Sequence, residues 1–383
     1  MTSIRHAQRA LVLSLTIAAA GAFCVVGPSE ASAAAGTPVG GKELASAGVI
    51  VNLKAGIPPP PAMPGASFLL ADMDTGQILV ARAPHAPHRP ASTMKVLTAL
   101  TLIPRLNPNA TIMVRAQDVG VDGTHLGVLS NTAYSVATLL QGMLIGSGND
   151  ASYALAEGNR GLATTLREMN ATAGQLGAVD TLAKDPSGLD KAGQQTSAYD
   201  MALIGRAAME LPLLRHYVST KQASLPGGRS ASGKLTPGFQ ISNHNQLLFN
   251  YPGDIGIKNG YTKAAGFTYI EAATRQGRTY LLTEMASPQG SWRPAAALLD
   301  WAFAHGPSLT PIGELALPGE TPTSTLRVAA ASRPFTFGLP QSPPTTSPPA
   351  SAGQLTWIAV AGGIGALALL SAGAGRLVLR KRR

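Results

Sequence analysis

Ser92-Thr93-Met94-Lys95 sets a hydroxyl and a primary amine three residues apart, and the chain has no other Ser-x-x-Lys. A serine hydroxyl attacks a carbonyl at neutral pH only when a base takes its proton, so the pair points to acyl transfer through a serine ester. On a helix, positions 92 and 95 lie about one turn apart on one face, within reach of each other. A lysine at its ordinary pKa of about 10.4 is protonated and useless as a base. Burial among apolar neighbours, or a second cation nearby, would free its lone pair. Ser-x-x-Lys also describes an ordinary helix start, so the chemistry needs partners elsewhere.

Two later segments offer them. Ser147-Gly148-Asn149-Asp150 holds the one Ser-x-Asn of the chain. Its hydroxyl could relay a proton to a leaving amine, and the Asn149 amide could hold both a lysine and a substrate carbonyl, although a turn with a helix cap reads the same. Lys258-Asn259-Gly260 precedes Tyr261-Thr262; Lys-x-Gly also occurs at Lys54 and Lys191, so the place of this copy beside a strand pair is what singles it out.

The elements that must position these groups follow from pattern. Pro90 suits a helix start, and Val96 to Ile103 runs without Gly or Pro until Pro104. Ser67 to Met73 and Gln77 to Ala81 flank Asp74-Thr75-Gly76, while Gly266 to Thr274 and Arg278 to Met285 flank Gln276-Gly277: two hairpins. Between them Ser135 to Leu144, Ala151 to Leu155 and Ala198 to Met209 read as helices. Strands at both ends of a helical middle predict an α/β (α+β) fold, an antiparallel sheet assembled from N- and C-terminal strands, with a helical lobe inserted and a cleft between.

Ser-x-x-Lys, Ser-x-Asn and Lys-x-Gly, in this order, form the signature of penicillin-binding proteins and class A β-lactamases. From about Ala66 to Trp301 the chain resembles the low-molecular-mass penicillin-binding proteins, the serine D-alanyl-D-alanine carboxypeptidases. The resemblance is carried by Arg89 to Lys95, Ser147 to Ala151, Asp185-Pro186-Ser187-Gly188-Leu189-Asp190, Thr196 to Ala202 and Gly256 to Thr262. It implies a β-lactamase/transpeptidase-like fold and removal of the terminal D-alanine from peptidoglycan stem pentapeptides. By that resemblance Ser92 is the nucleophile, Lys95 the general base and Ser147 the proton relay. Asn149 orients substrate, Lys258 supplies positive potential near the substrate carboxylate, and Thr262 helps hold that carboxylate. The backbone N–H groups of Ser92 and Tyr261 form the oxyanion hole beside Gly260, no cofactor is called for, and β-lactams acylate the serine. His244 matches a stretch near the family's cleft and either lines it or packs as a structural polar group.

Asn259 departs from the family, most members of which have Thr or Ser there; substrate binding is expected to be tuned rather than abolished. A D,D-endopeptidase would use the same residues. A class A β-lactamase would need a Glu-x-x-Leu-Asn deacylation loop, a string the sequence lacks. A non-catalytic penicillin-binding surface module is the reading of another kind, disfavoured because the serine and both lysines are present.

The two ends set the compartment. Arg5 and Arg9 precede an apolar run to Val26, and Ala31-Ser32-Ala33 fits a signal peptidase, so 1–33 reads as an export signal. Residues 355–375 carry no charge, enough to cross about 30 Å of hydrocarbon, and Arg376, Arg380, Lys381, Arg382 and Arg383 follow as a cytoplasmic tail over 376–383. The expected product is exported and tethered to the membrane by this helix. Residues 34–64 read as a Pro/Gly-rich linker, 65–306 as the catalytic domain, 307–335 as a short C-terminal segment and 336–354 as a Pro/Ser/Thr-rich stalk. The net charge of +10 owes much to the targeting segments. The remainder, about +4, gives no basis for nucleic-acid binding and suits an anionic envelope polymer. Cys24 lies inside the signal, which leaves the mature chain without thiol chemistry, and His85 and His88 sit in a Pro-rich loop without a third zinc ligand.

Overall fold

The computed structural model describes residues 37–229, 233 and 235–316. The signal, stalk, apolar segment and basic tail expected from the sequence lie outside them. Among the described residues no helix is long and apolar enough to cross a membrane.

Both hairpins form. Ser67–Asp72 pairs with Gln77–Arg82, and the turn closes through Gly76 N–H to Asp72 O (2.8 Å) and Thr75 N–H to Asp72 Oδ1 (2.9 Å). Gly266–Arg275 pairs with Arg278–Ser287 across Gln276 and Gly277, whose φ values of 51° and 75° suit a tight hairpin turn. Tyr280 to Met285 then lie antiparallel to Asp72 to Ser67, so the first hairpin is zipped onto the last. The seven-stranded sheet runs Val49–Val51, Gln77–Arg82, Ser67–Asp72, Arg278–Ser287, Gly266–Arg275, Asp254–Thr262, with Gly313–Glu314 also on the outer edge of Gln77–Arg82.

The sheet is covered on both faces, which is why Ser67–Asp72 is buried at every position instead of alternating. Helix Arg293–His305 seals one face through Leu298, Leu299, Trp301 and Ala302 against Phe68, Leu70 and Leu282. Helix Ala198–Glu210 covers the other; a Cβ on Gly205 would lie 2.7 Å from Ile270, so glycine lets this helix approach the sheet closely. The lobe beyond it packs Val136–Ile145, Asn149–Gly158 and Leu162–Gln175 around Met94–Leu102. All nine residues of Met94–Leu102 are buried, the pattern of a helix enclosed on every side.

The stretch read as linker, 34–64, contributes structure: Lys42–Ala45 makes a 3-10 turn, and Val49–Val51 is an edge strand on Gln77–Arg82. Three successive β-branched residues supply that strand inside a Gly/Pro-rich surround. In 307–335, Gly313–Glu314 likewise adds to the sheet.

Candidate active site

Pro90 and the 3-10 turn Ala91–Thr93 feed Ser92 into helix Met94–Leu102. Ala91 has φ +48°, a left-handed conformation costly for a residue with a Cβ, and both lobes hold it there. Pro90 O accepts from Thr93 Oγ1 (2.6 Å) and from Thr268 Oγ1 of the sheet (2.8 Å). Gly188 packs so tightly on Ala91 O that a Cβ would lie 1.7 Å away.

One turn on, Lys95 is fully buried with Nζ 2.9 Å from Ser92 Oγ. Nζ also donates to Asn149 Oδ1 (2.7 Å) and to Ser187 O (2.8 Å). A neutral amine has two hydrogens and one lone pair. Two fixed carbonyls take the hydrogens, which leaves the lone pair for the Ser92 proton. Burial holds the Lys95 pKa well below the ordinary lysine value, and the positive charge of Lys258 pushes the same way against Asp185 and Asp150.

Those two aspartates hold loops by accepting backbone N–H groups. Asp185 Oδ1 accepts from Ser187 N (2.8 Å), Gly188 N (3.0 Å), Leu189 N (3.2 Å) and Ser187 Oγ (2.6 Å), while Tyr153 OH donates to Oδ2 (2.5 Å). This fixes the turn that presents Ser187 O to Lys95. Asp150 accepts from Leu126 N and Gly127 N, both at 2.8 Å, and from Val128 N at 3.3 Å. Asn149 completes that clasp by donating from Nδ2 to Asp122 O (2.6 Å) and from its backbone N to Thr124 O (2.7 Å).

Strand Asp254–Thr262 forms the opposite wall. Alternation puts Lys258, Gly260 and Thr262 on one face, with Asn259 and Tyr261 on the other beside their partners Tyr269 and Phe267. Lys258 is buried and donates to Asn259 O (2.9 Å), with Asn259 Oδ1 at 3.4 Å. Burial lowers its pKa to about 8, opposed by Glu271 on the neighbouring strand. A Cβ on Gly260 would lie 2.6 Å from both Ser92 N and Thr268 Oγ1, so only glycine lets this strand run against the serine backbone. Tyr261 is 54% exposed, its ring tilted 35° against that of Phe267 with centroids 4.4 Å apart.

Ser92, Lys95 and Asn149 are therefore joined directly, and Gly260 touches Ser92. Ser147, buried with φ 57°, makes no hydrogen bond to them among the described residues. The Thr262 hydroxyl does not stand open to a carboxylate: it donates to Asp190 Oδ1 (3.0 Å) and accepts from Ala265 N (2.9 Å). His244 lies where burial, Lys258 and Lys95 all lower its pKa, between the buried Asn243 and Asn245. His85 bonds Asp180 Oδ2 (2.7 Å) and Val39 O (3.0 Å), and His88 bonds Ser67 Oγ (2.7 Å), roles within the packing. Sequence reasoning named Asp185 and Ser187 only within a stretch that carries the resemblance, gave them no role, and missed Thr268. Ser187 acts through a carbonyl that every residue has, and only the Asp-x-Ser spacing signals a self-capped turn.

An antiparallel sheet with an inserted helical lobe, and a serine–lysine pair in the cleft between them, define the penicillin-binding, transpeptidase-like class. The family model of D-alanyl-D-alanine carboxypeptidase, peptidase S11, matches residues 55–287. D-alanyl-D-alanine carboxypeptidase DacB2 of Mycobacterium tuberculosis is 38% identical over 268 residues, 68% of this chain and 89% of that protein. DacF of Bacillus subtilis is 29% identical over 248 residues, and the match spans 62% of its length. Among solved structures, a D-alanyl-D-alanine carboxypeptidase from Mycobacterium tuberculosis is 37% identical with a TM-score of 0.64, covering 70% of this chain and all of that one. The Streptomyces K15 DD-transpeptidase is 25% identical with a TM-score of 0.61, covering 64% and 100%. The chain belongs to peptidase family S11, the serine D-alanyl-D-alanine carboxypeptidases.

Proposed function

We propose that this protein removes the terminal D-alanine from peptidoglycan stem pentapeptides through an acyl-enzyme, and so limits cross-linking. The observation that carries the reading is the Lys95 nitrogen, buried, 2.9 Å from Ser92 Oγ and with two carbonyls to take its hydrogens. Ser92 Oγ attacks the carbonyl of the penultimate D-alanine as Lys95 accepts the hydroxyl proton. The oxyanion is held by the N–H groups of Ser92 and Tyr261, donors of a kind worth about 2.7–4 kcal/mol each. Ser147 gives its hydroxyl proton to the leaving amine and regains one from the Lys95 ammonium as the C–N bond breaks; water then attacks the ester, its proton passing through Lys95 back to Ser92, which releases the acid and regenerates the serine. Asn149 orients the peptide while Lys258 attracts its terminal carboxylate, with Asn259, Gly260 and Thr262 shaping the strand along which the peptide lies. A β-lactam carries a strained amide and a carboxylate, and would acylate Ser92 by the same steps. The end segments support an exported protein held in the cell membrane by residues 355–375, with its catalytic domain outside and residues 376–383 in the cytoplasm.

The test is D-alanine release from a stem pentapeptide by the full-length protein and by Ser92→Ala. Loss of at least about a thousandfold is expected in the variant, and equal release by both would refute the serine mechanism. Cleavage restricted to cross-linked dimers would indicate an endopeptidase, and rapid penicillin turnover a β-lactamase.

A further inference from the structure

We propose that Asp190 determines specificity by binding the side-chain ammonium group of a diamino acid placed just before D-alanyl-D-alanine in the stem peptide. The inference rests on the carboxypeptidase reading, which fixes the direction in which the peptide lies.

Lys258, Gly260 and Thr262 share one face of strand Asp254–Thr262, and Gly260 touches the backbone N of Ser92. At about 3.3 Å per residue, Lys258 and Thr262 stand about 13 Å apart with the reacting carbonyl between them. The terminal carboxylate is drawn to Lys258, so the acyl half of the peptide extends toward Thr262. From the serine contact to Thr262 is about 7 Å, roughly the reach of a chain from the scissile carbonyl to the side chain of the preceding residue.

Asp190 stands at that end. Its Oδ1 accepts from Thr262 Oγ1 (3.0 Å), which is itself fixed by Ala265 N. The loop behind it is held rigid by the N–H groups gathered on Asp185. Arg89 Nη1 forms an ion pair with the same Oδ1 at 3.7 Å, too long for a hydrogen bond, with its side chain 43% accessible. No described residue bonds Oδ2, and the Asp190 side chain is 30% accessible. One carboxylate oxygen is thus held while the other is open, the preorganisation that a charge-assisted bond to a cation exploits. A cation at Lys258 and an anion at Asp190 match a peptide with an anionic end and an ammonium group near its middle.

The test compares two pentapeptides ending in lysyl-D-alanyl-D-alanine, one with a free ε-amine and one acetylated there, by kcat/KM for D-alanine release from the full-length protein. Wild type is expected to prefer the free amine about tenfold, mostly through KM, the scale of a hydrogen bond to a charged group. In Asp190→Asn the ratio falls toward unity, and in Asp190→Glu part of it returns. Equal rates on both peptides in wild type would overturn the assignment without any variant, and so would a preference that survives in Asp190→Asn. Release from neither peptide would instead defeat the carboxypeptidase reading and this inference with it.

Discussion

The proposed mechanism gives two buried lysines in one cleft opposite duties. In it Lys95 has to be neutral to act as a base, whereas Lys258 has to be charged to draw a carboxylate. Burial lowers both, but Lys95 also feels Lys258, while Glu271 supports the charge on Lys258. Acylation by a fluorescent penicillin should therefore fall as pH rises through about 8, where Lys258 loses its proton. Between about 8 and the ordinary lysine value the unfolded chain binds more protons at this site than the folded one, so this group's contribution to stability rises with pH in that window. An alkaline loss of rate without loss of melting temperature thus separates titration from unfolding. Lys258→Arg should move that limb upward, and a limb left in place would assign it to another group. The Ser92–Lys95 relation was legible because helix geometry is local. The acceptors that orient the Lys95 nitrogen were only half legible: Asn149 announced itself by type, while Ser187 contributes a backbone oxygen.

At the scale of elements, the cleft depends on how closely strand Asp254–Thr262 lies against the turn that carries Ser92. Gly260→Ala would set a Cβ 2.6 Å from Ser92 N. Overpacking of this kind costs about 1–3 kcal/mol, and the displaced strand would misplace an oxyanion donor. The expected result is a folded protein, slightly less stable by thermal melting, acylated by penicillin about a hundredfold more slowly; an unchanged acylation rate would show that the strand can yield without consequence. The hairpins were legible because Asp74-Thr75-Gly76 and Gln276-Gly277 break strongly patterned strands. Val49–Val51 was not, since Gly and Pro on either side drown three residues of strand signal. Helix Leu162–Gln175 was not read either: Leu162, Leu166, Met169 and Ala173 recur at helical spacing, but the Thr, Arg, Glu and Asn residues between them dilute the stripe.

At the scale of the whole molecule, buried carboxyl groups tie stability to pH. Asp200 is pushed up to about 7 by burial and then by Asp180; its Oδ2 accepts from Thr181 Oγ1 (2.7 Å), while Oδ1 is buried without a partner. With the folded value above the unfolded one, the native state holds the extra proton between about pH 4 and 7, so stability from this group declines as pH rises across that range. Asp200→Asn should flatten the corresponding slope of melting temperature against pH, and an unaltered slope would place the effect in other buried carboxyls such as Asp254. The sequence carries no sign of this, because the burial of Asp200 follows from distant segments meeting on helix Ala198–Glu210.

The two short strands on the outer edge of Gln77–Arg82 have a mechanical meaning. Val49–Val51 and Gly313–Glu314 share that edge, while Asp254–Thr262 occupies the opposite one. Tyr199 OH donates to Glu314 O (3.1 Å) and accepts from Ala316 N (2.9 Å), and a Cβ on Gly40 would lie 2.6 Å from the same ring. The beginning and end of the domain therefore leave from one place. A pull on either end loads a few bonds at the near edge, including Ile312 N to Ile78 O and Leu315 N to Gly76 O, which open one at a time like a zipper. The strand that lies against Ser92 forms the far edge, with four strands between, so drag on the chain outside the domain can fray its hem without shifting its reactive serine.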